Sequence, residues 1–298
     1  MTAPTPAVEL LDETLRDGLQ SPSVAQPKQA EKIELVDLMA RIGIKGVNIG
    51  FPAVGQRVLE DVVALARHVE GRRLPLDLTC AARTMIADVV PIARAVQRSG
   101  RAIEACLFVG SSPIRLWTEG WDRKLLVART VEAIDFAIKE GLGVAYAAED
   151  ATRSAPWYLD ELFRAAIDRG ARRLVLCDTV GHATPDGTEQ LVTWTRSLVR
   201  GLGLPVKIDW HGHNDRGLAL GNALRALDSG ADRVHACALG IGERVGNTSM
   251  ELLVRNLQLL GTLEVDPLDL ERYVEKATEM TRIRLATEVP VARQARAS

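Results

Sequence analysis

The chain carries four cysteines in 298 residues, at positions 80, 106, 177 and 237, and none belongs to a Cys-x-x-Cys pair. That spacing excludes a disulfide framework and a zinc ribbon. It leaves Cys80, Cys106, Cys177 and Cys237 as small apolar side chains of a reducing compartment. Long apolar runs are missing too, and no stretch approaches the roughly 18–20 residues that cross a bilayer. The start MTAPTPAVELLDE has no basic region followed by an apolar core, so no secretory signal is expected and a cytoplasmic protein is. Neither charge sign is in excess. With 37 basic and 39 acidic residues, a net charge of −2 gives no bulk attraction to nucleic acid or to a membrane surface. Histidine is scarce, at five residues, which makes the placement of each one informative.

What is present is an ordinary globular composition, 47% hydrophobic and 26% charged. Short β-branched runs alternate with amphipathic ones along the chain. Strand candidates lie at 8–18, 46–52, 75–83, 102–112, 143–153, 172–181, 205–213 and 233–242. Between them, stretches such as KQAEKIELVDLMARIG and LDELFRAAIDRG repeat apolar positions at i, i+3, i+4 and i+7 and close on glycine. Eight β–α units at this length predict a closed (β/α)8 TIM barrel, class α/β, over residues 1–265. A further helix is predicted at 266–285, with a loose polar tail to residue 298.

In such barrels chemistry sits at the C-terminal ends of the strands. The stretch DWHGHNDRG (209–217) ends strand seven, and a strand sends His211 and His213 to the same side. Strand one ends in DETLRDGLQ with Arg16 and Asp17, and strand eight runs into GIGERVGNTS with Asn247. Barrel closure brings strands one, seven and eight together, so Asp17, His211, His213 and Asn247 are expected to converge. Two imidazoles and a carboxylate suit a divalent cation such as Mn, Mg, Zn or Co, acting as a Lewis acid on a carbonyl. Arg16 then supplies a fixed positive charge for a developing oxyanion. GIGERVGN lacks the G-x-G-x-x-G spacing of a dinucleotide loop. Of the other histidines, His68 reads as a surface residue of a helix, His235 as packed within strand eight, and His182 as a candidate to face the pocket.

The segments LLDETLRDGLQSP, VNIGFPAV, AAEDATRS, LCDTVGHATP, HGHNDRGLALGNALRALDSGA and GIGERVGNTSMELL resemble the metal-dependent acyl-CoA synthase and lyase barrels. That group includes isopropylmalate, homocitrate and citramalate synthases and hydroxymethylglutaryl-CoA lyase. The resemblance runs from about residue 8 to 285. It implies metal ligands at Asp17, His211 and His213 with Asn247 in or near the shell, Arg16 polarising a keto group, Glu149 at the site, and Thr179 on the substrate carboxylate. Gln20, Cys106 and Thr152 complete the expected substrate contacts, and Glu149 and His182 the expected catalytic groups.

The lyases carry a cysteine in the loop after strand eight. GIGERVGN has none, and it matches the synthases, which join acetyl-CoA to a 2-oxo acid; a lyase or aldolase is the alternative. Cys106, in CLFVGSSPI, stands where isopropylmalate synthases have a histidine. In full synthases an accessory region supplies a catalytic His and Tyr, and no counterpart of that pair is expected within residues 1–298. The resemblance further implies a homodimer with 266–285 between subunits; a separate accessory subunit is an expected source of the missing groups, and the charge balance leaves no nucleic-acid or membrane partner expected.

Overall fold

A computed structural model describes residues 8–283. Eight parallel strands close into one barrel in the order β1 to β8, with β1 hydrogen-bonded to both β2 and β8. They are β1 (Glu9–Asp12), β2 (Gly46–Asn48), β3 (Asp77–Arg83), β4 (Ile103–Gly110), β5 (Val144–Glu149), β6 (Arg173–Asp178), β7 (Lys207–Gly212) and β8 (Arg233–Ala236). Every predicted strand is present, shortened to the part that pairs. β6, RLVLCD, is buried at all six positions, as expected of a barrel strand covered on both faces.

The helices are α1 (Gln29–Arg41), α2 (Gln56–Arg72), α3 (Ile86–Ser99), α4 (Pro113–Glu119), α5 (Arg123–Lys139), α6 (Pro156–Asp168), α7 (Pro185–Leu202), α8 (Ala219–Asp228), α9 (Met250–Leu259) and α10 (Pro267–Thr281). Local chemistry starts several of them. Thr184, Asp122 and Asp266 accept hydrogen bonds from Gly187 N, Leu125 N and Leu268 N at the heads of α7, α5 and α10. Pro185 and Pro267 occupy first-turn positions, where a missing N–H costs nothing. α2 shows why the helices stay on the outside: Leu59, Val62, Val63, Ala66 and Val69 are buried along one stripe. No described helix is long and apolar enough to cross a membrane.

α10 lies outside the eightfold repeat. Its buried stripe, Leu270, Tyr273, Ala277 and Met280, packs against α1 of the same chain. Tyr273 donates from its hydroxyl to the Asp12 carboxylate, and Ala25 N donates to Thr281 O at 2.9 Å. That stripe of α10 is thus used on the chain's own barrel. The tail expected after residue 285 lies outside the described residues.

Candidate active site

Side-chain alternation along β7 turns Asp209 and His211, with His213 just beyond the strand, toward the barrel interior. The turn after β1 delivers Arg16 and Asp17 to the same place from two strands away. Asp12 Oδ1 shapes that turn by accepting from Thr14 N at 2.8 Å. Asp17 Oδ2 lies 3.5 Å from His211 Nε2 and 3.6 Å from His213 Nε2, and the two imidazole nitrogens are 3.4 Å apart. The three atoms form a nearly equilateral triangle. Ligand bonds of about 2.0–2.2 Å to a common cation require neighbouring ligand atoms at about this spacing.

The surroundings fit a cation. Burial and the nearby His211 push the His213 imidazole down to about 4, so it is neutral and able to ligate at pH 7. Burial alone raises the Asp17 carboxyl, but Arg16 and His211 outweigh it and hold the group well below the usual carboxylate range. Arg16 Nη1 is 3.2 Å from Asp17 Oδ2.

The loop after β8 sets the other carboxylate oxygen. Glu243 N and Asn247 Nδ2 donate to Asp17 Oδ1 at 3.2 and 2.9 Å, so Oδ2 is left to face the imidazoles. Asn247 therefore reaches the cluster through its amide nitrogen, while its Oδ1 is buried without a hydrogen-bond partner. Gly242 and Gly246 make this approach possible. A Cβ at Gly242 (φ 154°) would lie 2.0 Å from Asn247 Nδ2 and 2.7 Å from Asp17 Oδ1, and one at Gly246 (φ 94°) would lie 1.9 Å from Gly240 O. Arg244 ties the loop down, donating to Thr179 O and to Asp215.

A cavity of about 360 Å³ opens beside the triangle, within the range of small-molecule sites. Its two halves differ in chemistry. β1, β7 and β8 and the turns after them contribute Glu13, Arg16, Asp17, His211, His213 and His235; β3 to β6 contribute the apolar Ala81, Cys106, Phe108, Ala147, Val175 and Cys177, with Glu149 at the end of β5. Burial pushes the Cys106 thiol up to about 12 and the Cys177 thiol well above its ordinary value, so neither is a thiolate.

Of the residues singled out from sequence, Arg16, Asp17, Gln20, Cys106, Glu149, Thr179, His211 and His213 line this cavity. Thr179 Oγ1 accepts from Asp150 N at 2.7 Å, which steadies the loop after β5. Glu149 is paired with Arg115 at 3.1 Å, and its carboxyl is raised, chiefly by burial.

His182 and Thr152 do not join them. Both line a separate groove between α6 and α7 with Trp194 and Arg216, and Thr152 donates to Asp178 Oδ1 at 2.9 Å. The reason is local. Asp178 collects His182 N, Ala183 N and the Thr152 hydroxyl, which folds the chain after β6 away from the axis. His68 pairs with Asp37 at 2.7 Å between two outer helices.

His235 is packed, as expected, yet it also lines the cavity, and sequence reasoning missed its partner Glu13 together with Asn48 and Arg115. The signal for Glu13 and His235 was available in strand parity, since each lies an even number of residues from another inward-facing position. Glu13, His211 and His235 form a second cluster with metal-ligand spacing, but both ring nitrogens of His235 already face carboxylates.

The chain is 34% identical over 282 residues to a protein of Methanopyrus kandleri named probable 2-isopropylmalate synthase, covering 91% of this chain and 52% of that one. It is 34% identical over 248 residues to the 2-isopropylmalate synthase of Pyrococcus furiosus, covering 83% and 48%. It thus spans about half the length of the curated relatives it matches. Among solved structures, the hydroxymethylglutaryl-CoA lyase of Pseudomonas aeruginosa shares the fold at a TM-score of 0.73 and 22% identity, covering 94% of each chain. The carboxyl transferase domain of Rhizobium etli pyruvate carboxylase does so at 0.69 and 19%, covering 92% of this chain and 47% of that one. The family model described as HMGL-like matches residues 7–289, and the chain belongs to that family.

Proposed function

We propose that this barrel catalyses a Claisen-type condensation of acetyl-CoA with a 2-oxo acid that carries an apolar side chain. The observation that carries the reading is the Asp17–His211–His213 triangle with Arg16 on the same carboxylate, at the wall of a half-apolar cavity. Relatives named 2-isopropylmalate synthase support it. A divalent cation held by Asp17, His211 and His213 would supply Lewis acidity to the keto group.

The chain's own residues do the rest. Arg16 is held by Glu13 through Nε at 2.7 Å and by Asp17 through Nη1, which leaves its other N–H bonds for the keto oxygen. Negative charge grows on that oxygen as the carbon is attacked, so a preorganised guanidinium favours the transition state over the ground state. Thr179 and Gln20 line the cavity, and this reading assigns them the substrate carboxylate. The wall of Ala81, Cys106, Ala147, Val175 and Cys177 accepts the side chain, and Arg115, the cation that lines the cavity on this side, is already paired with Glu149 at 3.1 Å, which disfavours a second carboxylate there.

The methyl proton of the thioester needs a base. Glu13 is held low by Arg16 and His235 despite its burial, and Asp17 by Arg16 and His211; both are poor proton acceptors. Glu149 is the raised carboxylate on the cavity, and this reading assigns it the proton. The resulting enolate carbon attacks the keto carbon, and hydrolysis of the thioester releases free CoA. A homodimer, and a partner polypeptide supplying further groups, belong to the same proposal.

The test is thiol release from acetyl-CoA with Mn²⁺ and a panel of pyruvate, 2-oxobutyrate, 2-oxoisovalerate and 2-oxoglutarate. Turnover with the apolar acids and little with 2-oxoglutarate is expected, and Arg16→Lys should lower kcat by about 10²–10³-fold. If no acid releases thiol, while a 3-hydroxyacyl-CoA or a 4-hydroxy-2-oxo acid is cleaved, the enzyme is a lyase.

A further inference from the structure

The inside of a (β/α)8 barrel is ordinarily filled by branched apolar side chains. Here a column of charged and polar groups runs down the interior faces of β1, β7 and β8 beneath Arg16. Glu13 Oε2 accepts from Arg16 Nε at 2.7 Å, and Glu13 Oε1 faces His235 Nδ1 at 3.3 Å and Asn48 Nδ2 at 3.2 Å. His235 Nε2 lies 3.0 Å from Asp209 Oδ2. Asp209 is fixed in turn by Arg173 Nη1 on Oδ1 at 2.5 Å and by Arg233 Nε and Nη2 on Oδ2 at 2.7 and 2.6 Å. Glu13, His235 and Asp209 are 2%, 3% and 0% exposed.

Burying this many charges is expensive, and well-packed apolar residues would be as stable or more so. The column therefore calls for a role at one of its ends. From these contacts we infer that His235 is a positioning residue: it fixes the Glu13 carboxylate, which fixes the plane of the Arg16 guanidinium against the substrate. The inference rests on the role given to Arg16 above.

The geometry explains why Glu13 needs a second hold. Glu13 has a long, rotatable side chain, and one contact with Arg16 would let both swing together. Clamping Oε1 from β8 through His235 and from β2 through Asn48 removes that freedom. His235 can act as an anchor because it has only two side-chain torsions, and its far nitrogen rests on an aspartate that two arginines immobilise. β7 and β8 set the spacing, since Asp209 pairs in register with Arg233.

Two conservative variants separate positioning from space filling. An asparagine amide occupies about the place of the Nδ1 that meets Glu13, and a glutamine amide about that of the Nε2 that meets Asp209. His235→Asn should therefore keep the Glu13 clamp and lose no more than about threefold in kcat. His235→Gln should lose it and fall by about 30–100-fold, the scale of a displacement near 1 Å. KM for acetyl-CoA and the Kd for Mn²⁺ alone should stay within about threefold in both.

Crystal structures of both variants give a readout free of turnover. The Arg16 Nε–Glu13 Oε2 contact should persist in His235→Asn and be lost in His235→Gln. If it persists in both, or if both variants lose kcat and thermal stability equally, His235 only fills space and the inference falls. If the wild-type protein condenses no 2-oxo acid, the assignment of function falls, while the two structures still decide whether His235 holds Arg16.

Discussion

At the scale of single residues, the cavity separates its carboxylates by what stands beside them. Glu13 and Asp17 share Arg16 and the imidazoles and stay ionised well into acid. Glu149 is mainly buried, with Arg115 as a partial counterweight, and binds its proton more tightly than a free glutamate does. A base must be deprotonated to act, so the rate should fall with falling pH through the raised pKa of Glu149. Glu149→Gln should lower kcat by about 10²–10⁴-fold and remove that acidic limb, while leaving the Kd for Mn²⁺ unchanged. An acidic limb that survives in the variant would assign the proton to another group. The fate of His182 belongs here as well. Its sequence neighbours matched expectation, but three hydrogen bonds to Asp178 turn it outward, and no linear reading reports that.

At the scale of elements, the loop after β8 and helix α10 each carry a specific load. The loop brings Glu243 N and Asn247 Nδ2 onto Asp17, and only glycine at 242 leaves room for it. Gly242→Ala should push Asn247 off Asp17 and weaken Mn²⁺ binding by about 10–100-fold, the usual effect of losing an outer partner of a metal ligand. Calorimetric titration checks this, and the fold should survive because the loop lies outside the barrel ladder. α10 is anchored by Tyr273, whose hydroxyl donates to the buried Asp12 carboxylate. Tyr273→Phe leaves that carboxylate short of a donor and should cost about 1–3 kcal/mol in urea unfolding. A loss near zero would mean that apolar packing on α1 alone holds the helix.

At the scale of the whole molecule, buried titratable groups shape stability against pH in opposite directions. The His213 pKa in the folded state is depressed to about 4 from 6.5. Its contribution to stability is therefore complete above pH 6.5 and is lost as pH falls toward 4. Asp12 is raised to about 6 from 3.8, chiefly by burial. The folded state thus gains stability from it as pH falls from 6 toward 3.8. Each effect amounts to about 3 kcal/mol. In the metal-free protein the two effects therefore oppose each other from pH 6 to 4. Asp12→Asn removes the Asp12 gain and should lose stability more steeply than the wild type over the same range; equal slopes for the two proteins would refute the assignment. Added Mn²⁺ at about 100 times its Kd should raise stability by about 2.7 kcal/mol at pH 7, and Asp17→Asn should abolish that gain.

The eight β–α units, their order and the family were legible in the sequence, because apolar periodicity and strand-end motifs are local properties of the chain. The placing of Asp17, His211 and His213 near one another followed from closure, a rule about which strands must be neighbours. Only the tertiary structure decided which oxygen of Asp17 faces the imidazoles, that Asn247 serves that carboxylate, that His182 and Thr152 lie in another groove, and that Glu13, His235 and Asp209 stand in line beneath Arg16. The reason is physical. Periodicity records which side of an element is buried, whereas the direction of a hydrogen bond depends on partners hundreds of residues away, as for Asp17 and Asn247, which no local pattern encodes.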